Sequence, residues 1–298
     1  MDKILLILNG KKSGQPDIRE AVTRLRNDGQ DIQVRVTWEY GDAQRFVEEA
    51  HNGRFDLVIA GGGDGTVNEV AHNLALQDSS SLSMAILPLG TANDFAVGCN
   101  IPLDPFEALT LAVNGSAKPI DLVKINDRHF INIASAGFGA KVTAETPVEL
   151  KNALGGGAYI LMGILRLANF TPYKAKIKFD NETFDCSATV GAVCNGRQTG
   201  SGQVLAPNAY INDGLLDVII ASPFPLTAIN QVIDEVENPS KDGEYIKAFQ
   251  CTRIEGESEE IIPLNLDGEP YDSKVHHYEI EPGKIRLVVP DDCPCIKK

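Results

Sequence analysis

Asp56-Leu57-Val58-Ile59-Ala60-Gly61-Gly62-Gly63-Asp64-Gly65-Thr66-Val67-Asn68-Glu69 runs an apolar strand into four glycines and an aspartate, then into a helix-forming stretch. An apolar strand without in/out alternation fits a parallel strand buried on both faces. Glycine tolerates positive φ and, lacking a Cβ, lets other atoms approach the backbone closely. Thr66 is placed to cap the helix, with Glu69 three residues on as its reciprocal partner. The N-terminus of such a helix presents unpaired N–H groups and the positive end of the dipole, which suits phosphate. Met84-Ala85-Ile86-Leu87-Pro88-Leu89-Gly90-Thr91-Ala92-Asn93-Asp94 repeats the pattern with a strand, a glycine, a threonine and an acid three residues on. A capping box alone accounts equally well for Thr91–Asp94. Two elbows at the C-terminal ends of strands in one sheet face the crevice where open α/β sheets bind ligands. A carboxylate among phosphate-binding glycines has a natural partner in Mg²⁺, so Asp64 and Asp94 are expected to help hold the metal or place the phosphates.

Neither elbow is a standard nucleotide signature. Gly10-Lys11-Lys12-Ser13-Gly14 lacks the spacing of a P-loop, and Asn68 stands where a third Rossmann glycine would fall.

Outward from these elbows, residues 1–122 alternate strands with helices. Strands are expected at Lys3–Leu8, Ile32–Val36, Phe55–Ala60 and Met84–Leu89, and helices at Pro16–Asn27, Asp42–His51, Thr66–Leu76 and Pro105–Val113. That alternation implies right-handed βαβ units and a Rossmann-like N-terminal parallel α/β domain. Residues 123–298 have another texture. Turn pairs recur at Asn126-Asp127, Asp180-Asn181, Asn195-Gly196, Asp267-Gly268 and Pro282-Gly283, with short β-type runs between them. They predict an antiparallel β-sandwich domain with a helix at Pro225–Glu237, and a further one is suggested within 149–170. The last residues are placed back on the first domain.

The chain has 298 residues, 43% hydrophobic and 23% charged, with a net charge of −14. Such acidity excludes a phosphate-backbone binder and permanent adhesion to anionic lipid. The six cysteines form no C-x-x-C pair. Cys293-Pro-Cys295 reads as a plain tail, and reduced thiols in the cytosol are the default. No apolar run reaches the roughly 18 residues of a membrane span.

Gly-Gly-Gly-Asp-Gly-Thr-x-Asn-Glu together with Leu-Pro-Leu-Gly-Thr-Ala-Asn-Asp-Phe resembles the catalytic domain of the diacylglycerol kinase family. Asn9–Lys11, Arg35–Glu39, Asn195–Gln198, Asn212–Leu216 and Leu266–Pro270 extend the resemblance to YegS-type bacterial lipid kinases over nearly the whole chain. The resemblance implies an ATP:lipid phosphotransferase. It places the nucleotide on Thr37, on Gly63, Asp64, Gly65, Thr66, Val67, Asn68 and Glu69, and on Thr91. It makes Glu269 the general base and puts a structural metal on Asp213 and the carbonyls of Tyr210 and Leu215. That metal is expected to be Mg²⁺, with Ca²⁺ as the alternative occupant of the structural site. By themselves, Asp267-Gly268 and Asn212-Asp213-Gly214 read as hairpin turns. The expected acceptor is phosphatidylglycerol ahead of diacylglycerol, met by a cytoplasmic protein in transient contact with a membrane surface.

Two other readings stand beside this one: a kinase of NAD or another soluble metabolite, resting on the shared Gly-Gly-Asp-Gly core, and a non-catalytic nucleotide sensor. Asn195–Gln203 reads either as a mobile loop reaching a headgroup phosphate or as a solvated loop. Residues 158–165 read as an apolar patch for acyl chains or as core. His51, His129, His276 and His277 are expected to be fillers, Trp38 to pack beside Thr37, and Glu255–Glu260 to be a solvated loop.

Overall fold

The computed structural model of the protein describes residues 2–77, 82–137, 172–179 and 182–298. The expected helix within 149–170, the apolar stretch 158–165 and the Asp180-Asn181 turn lie outside the described residues.

Along the chain the strands are β1 (Lys3–Asn9), β2 (Asp31–Thr37), β3 (Leu57–Gly62), β4 (Ser83–Pro88), β5 (Ala117–Ile125), β6 (Arg128–Phe130), β7 (Ile133–Gly137) and β8 (Tyr173–Phe179). They continue as β9 (Glu182–Ala188), β10 (Val190–Cys194), β11 (Gln198–Thr199), β12 (Gln203–Val204), β13 (Leu216–Ala221), β14 (Ile246–Cys251), β15 (Arg253–Leu266) and β16 (Glu269–Val288). The helices are α1 (Pro16–Asn27), α2 (Asp42–Asn52), α3 (Asp64–Ala75), α4 (Asp94–Gly98), α5 (Pro105–Asn114) and α6 (Ile229–Glu237). Two compact units result. The first comprises Met1–Asn132, Asn195–Gly214 and Ile280–Lys298, the second Ile133–Cys194 and Leu215–Glu279.

The first unit is built on a parallel sheet ordered β2-β1-β3-β4. Beyond β4 the chain returns, and Arg286 and Leu287 of β16 pair in parallel with Ser83 and Met84. Successive strand residues point to opposite faces. Leu5 and Ile7, with Val58 and Ala60, meet Phe46 and Val47 of α2 and Val70 of α3. Ile4, Leu6 and Leu8, with Leu57 and Ile59, meet Val22 and Leu25 of α1 and Leu109 of α5. Cores on both faces are why β1 is apolar at every interior position. Pro16 and Pro105 open their helices at the first turn, where a missing N–H costs nothing. Asp104 caps α5 by accepting from Phe106 and Glu107 N–H.

The second unit is antiparallel, ordered β14-β13-β10-β7-β15-β16, with β8 and β9 added on β15. β15 carries a bulge between Glu257 and Ile262. Its first part pairs with β8 and its last residues with β7, so one strand serves both layers of a sandwich. The acidic run Glu255–Glu260 is therefore part of a strand rather than a solvated loop, with Glu255 ion-paired to Arg253 and Lys178. Asp267 and Gly268 both take positive φ in the β15–β16 hairpin, as a tight turn matched to strand twist requires. Asn212–Gly214 joins no such hairpin, for neither of its flanks pairs with the other.

Two further expectations fail. Trp38 is 92% exposed rather than packed beside Thr37. The C-terminal tail is not plain: Cys293 and Cys295 are buried and hydrogen-bonded to each other and to Cys99, and Cys295 Sγ also donates to Gly98 O. Among the described residues no helix is long and apolar enough to cross a membrane.

Candidate active site

β3 ends in Gly61-Gly62 and α3 begins at Asp64, with Gly63 as its N-cap. None of Gly61, Gly62, Gly63 and Gly65 takes a positive φ. Gly61, Gly62 and Gly63 are there for space. A Cβ on Gly62 would lie 2.3 Å from Thr66 Oγ1. A Cβ on Gly90 would lie 2.6 Å from Gly63 Cα, and one on Gly63 would lie 3.1 Å from Gly90 Cα. The two elbows are thus in contact through two glycine backbones. The tie is reinforced by Leu89 N–H, which donates to Gly62 O at 2.8 Å.

Neither expected capping box forms. Thr66 lies within α3, not at its cap, and its Oγ1 accepts from Asn9 Nδ2 at 3.0 Å. At the second elbow the N-cap is Asn93, held at φ 50° by its own side chain, which accepts from Gly90 N–H and donates to Gly90 O. Helix α3 therefore starts at Asp64, three residues earlier than a cap at Thr66 would place it. Val67 N–H makes the first intrahelical bond, to Gly63 O. The amides of Asp64, Gly65 and Thr66 have no acceptor within the helix, as the first-turn donors of any helix do not. The Val67 side chain lies in the core and Thr66 and Asn68 are buried, while Thr91 is exposed.

Thr37 joins this group through β1. Its Oγ1 accepts from Gly10 N–H at 3.3 Å, and Asn9, one residue earlier, donates to Thr66. The C-terminal ends of β1, β2 and β3 are so tied at one rim of the sheet. Asn9 had no assigned role in the sequence; only its place one residue past an apolar strand hints at one.

Asp64 Oδ1 accepts from Phe95 N–H at 3.4 Å, linking the elbows a second time. Burial raises its pKa above the ordinary carboxylate value, the backbone donors pull the other way, and the Asp94 charge adds to the rise. Asp94, expected to help hold the metal or place the phosphates, has both carboxylate oxygens engaged by backbone donors. Its two oxygens accept from Gly202 N–H at 2.8 Å and Ser201 N–H at 3.0 Å. Segment 195–203 is correspondingly not a loose loop. Asn195 is buried and donates to the carbonyls of Asp121 and Ile131, Asn132 donates to Gln198 O, and Gln198 donates to Asp94 O. Arg197 is turned to Ala209 O and the face of Tyr210.

Asp213 sits beside Asp121, whose pKa is raised first by burial and further by the Asp213 charge. Asp121 accepts from Gly214 and Gly283 N–H, and Asp213 faces Lys297 Nζ at 3.5 Å. Two carboxylates with backbone oxygens nearby are hard donors of the kind Mg²⁺ and Ca²⁺ take. Among the described residues no three His, Cys, Asp or Glu side chains converge as a metal cluster. The set of Tyr210, Asp213 and Leu215 holds one such side chain. Glu269 belongs to the second unit, exposed as the first residue of β16 and paired with Leu266.

His129 is no filler either. It is 4% exposed, its Nδ1 lies 3.1 Å from His72 Nδ1, and its Nε2 lies 3.3 Å from Glu281 Oε2.

A parallel sheet with paired glycine elbows at its rim, followed by an antiparallel sandwich, is the frame of a phosphoryl-transfer enzyme with an alcohol acceptor. Residues 3–125 match the diacylglycerol kinase catalytic domain and residues 132–289 the YegS C-terminal NAD kinase beta sandwich-like domain, and the chain belongs to that family. It is 46% identical over 295 residues to the "Probable lipid kinase YegS-like" of Shewanella frigidimarina, covering 98% of this chain and 96% of the relative. To the protein of that name from Yersinia pseudotuberculosis it is 45% identical over 298 residues, covering 99% and 100%. A diacylglycerol kinase structure from Bacillus anthracis superposes with a TM-score of 0.74 at 26% identity, over 98% of both chains.

Proposed function

We propose that the protein transfers the γ-phosphate of ATP to a glycerolipid hydroxyl, with phosphatidylglycerol preferred to diacylglycerol, during transient contact of a cytoplasmic protein with a membrane surface. The observation that supports this most is the pair of elbows in contact at Gly63 and Gly90, with α3 starting directly after Gly63. Phosphoryl transfer needs in-line placement and neutralised charge more than covalent help from the protein. In this reading residues Gly63–Glu69 cradle the phosphates, Thr37 and Thr91 border them, and Asp64 places phosphate or metal. Glu269 takes the proton from the attacking hydroxyl. Asp213 and the carbonyls of Tyr210 and Leu215 hold Mg²⁺, with Ca²⁺ as the alternative, and the metal stabilises the loop that ends at Gly214.

Labelled ATP with mixed micelles of single candidate lipids tests the proposal. Label is expected in phosphatidylglycerol, with less in diacylglycerol. An ATP-binding preparation that labels no lipid would remove the reading, and conversion of NAD to NADP would replace it with the soluble-metabolite reading.

A further inference from the structure

Three of the six cysteines, Cys99, Cys293 and Cys295, meet in the core of the first unit. Cys99 closes α4, and the other two arrive nearly two hundred residues later, in the C-terminal tail. A turn of the tail presents Cys293. Its N–H donates to Pro290 O at 3.1 Å, and its O accepts from Ile296 N–H at 3.4 Å. Its sulfur is hydrogen-bonded to both of the other thiols. Cys295 has ties of its own, because its Sγ donates to Gly98 O at 3.0 Å and its O accepts from Ile211 N–H at 2.9 Å. The kinase reading gives none of these thiols a role. Two buried cysteines of the second unit show what burial does to an ordinary thiol: it raises the pKa of Cys186 to about 11 and pushes that of Cys194 up as well. Cys293 goes the other way. Hydrogen bonds to Cys295 and then Cys99 lower its pKa, the Cys295 N–H and the Lys118 charge act in the same sense, and burial opposes them.

Oxidants attack the thiolate, and a second thiol in contact with it converts the first oxidation product into a disulfide. We propose that hydrogen peroxide joins Cys99 to Cys293 in a reversible disulfide, which latches the C-terminal tail to α4. The Cys293 thiolate attacks one peroxide oxygen, the O–O bond breaks, and the departing hydroxide leaves as water with the proton that Cys293 gave up. The Cys99 sulfur then attacks the sulfenic acid on Cys293. The S–S bond forms, the S–O bond breaks, and a second water leaves with the Cys99 proton. Two thiols are oxidised and one peroxide is reduced to two waters. Cys293 with Cys295 is the poorer pairing. The single residue between them is Pro294, whose ring fixes φ and stiffens a loop that is already short. A bond from Cys99 closes a long loop instead, the case in which a cross-link constrains the unfolded chain most. The latch bears on the second elbow, because α4 begins at Asp94, which holds the Ser201 and Gly202 amides, and Phe95 N–H donates to Asp64.

The full chain is treated with hydrogen peroxide at neutral pH, and its peptides are mapped by mass spectrometry without reduction. A Cys99–Cys293 linked peptide lacking both thiol hydrogens is expected, and dithiothreitol is expected to undo it. Cys293 is expected to react at least about tenfold faster than Cys186. The latched protein is expected to melt about 5 °C or more above the reduced one, and its amides beyond Cys293 to exchange more slowly. In Cys99→Ala the link is lost and dimedone is expected to trap Cys293 as the sulfenic acid. The map and the melt are read on the native chain, so neither depends on a variant that folds. The proposal falls if the native chain gives no such peptide, if Cys186 oxidises as fast as Cys293, if Cys293 pairs with Cys295 or with a second chain, or if the disulfide leaves the melting temperature unchanged. None of these measurements uses ATP or lipid, so the latch and the kinase reading can fail separately.

Discussion

Gly63 and Gly90 belong to different elbows, yet each occupies the space in which the other's side chain would stand. Gly90→Ala puts a Cβ 2.6 Å from Gly63 Cα and 2.8 Å from Asn93 Oδ1. Backbone must move, at a cost in the range of ~1–3 kcal/mol for overpacking. A lower melting temperature and weaker ATP binding in the same variant are expected, by thermal melt and nucleotide titration. A variant with native affinity would show that the contact does not shape the phosphate site. Glu269 is the contrasting residue. Because it is exposed, Glu269→Gln is expected to change stability by less than about 0.5 kcal/mol. If it is the base, kcat falls about 10²- to 10⁴-fold while ATP affinity holds. The glycines were legible in the sequence as positions of close approach, since four of them in five residues exceed what a turn needs. What they approach was not, because Gly90 lies 27 residues from Gly63 and nothing in either stretch names the other.

At the scale of elements, the helix starts were read with the right residue types and the wrong geometry. Thr66–Glu69 and Thr91–Asp94 both carry capping-box spacing, but in each case a tertiary partner takes the oxygen: Asn9 bonds Thr66, and the 201–202 amides bond Asp94. Propensity and spacing are local, and these partners come from other strands and loops. The β11–β12 hairpin is consequently held by α4. Asp94→Asn keeps the shape but turns an NH₂ toward one backbone donor, losing that hydrogen bond at about 0.5–1.5 kcal/mol. Faster hydrogen exchange at Ser201 and Gly202 is the expected signature, and unchanged exchange would show that the hairpin holds itself.

The α3–β6 contact gives a pH effect. His72 has its pKa lowered to about 4, first by burial and then by His129 and Arg128, with Asp127 opposing. His129, itself lowered by burial, is flanked by Glu281 and Lys284. A histidine kept neutral by folding binds fewer protons than in the unfolded chain. Its stabilisation is complete above about pH 6.5 and is lost as pH falls toward 4. Asp64 and Asp121, shifted up by burial, work the other way. Comparing melting temperatures of native and His72→Asn protein across that window isolates the histidine. The variant is expected to lose less stability on acidification, and equal losses would dissociate His72 from the effect.

Across the whole molecule the chain passes between the two units four times, at 132/133, 194/195, 214/215 and 279/280. A change of texture near residue 122 separates strand–helix alternation from β-rich sequence, and that much was legible. The packing of the last residues on the first domain was expected; the other returns, and the strand that each one joins, were not legible. Ile285–Val289 is recognisably a strand, but its parallel partner is β4, some 200 residues earlier, and hydrophobic periodicity carries no address. The returning segments are structural parts of the first unit. Ile211, Ile285, Leu287, Val289, Cys293 and Cys295 all lie in the core that covers α2 and α3. Ile211 O accepts from Asp121 N–H, and Cys295 O from Ile211 N–H. A fragment of residues 1–132 would keep the five helices and four parallel strands but expose that core along β4 and leave β4 as an unpaired edge. Each buried aliphatic side chain withdrawn from a core costs on the order of 2 kcal/mol, and a domain has only about 5–15 kcal/mol to lose. The fragment is therefore expected to show helical far-UV circular dichroism without a cooperative thermal transition. Supplying 195–214 and 280–298 on short linkers is expected to restore one. A cooperative melt from 1–132 alone would mean that the returning strand and tail are accessories to a unit that folds without them.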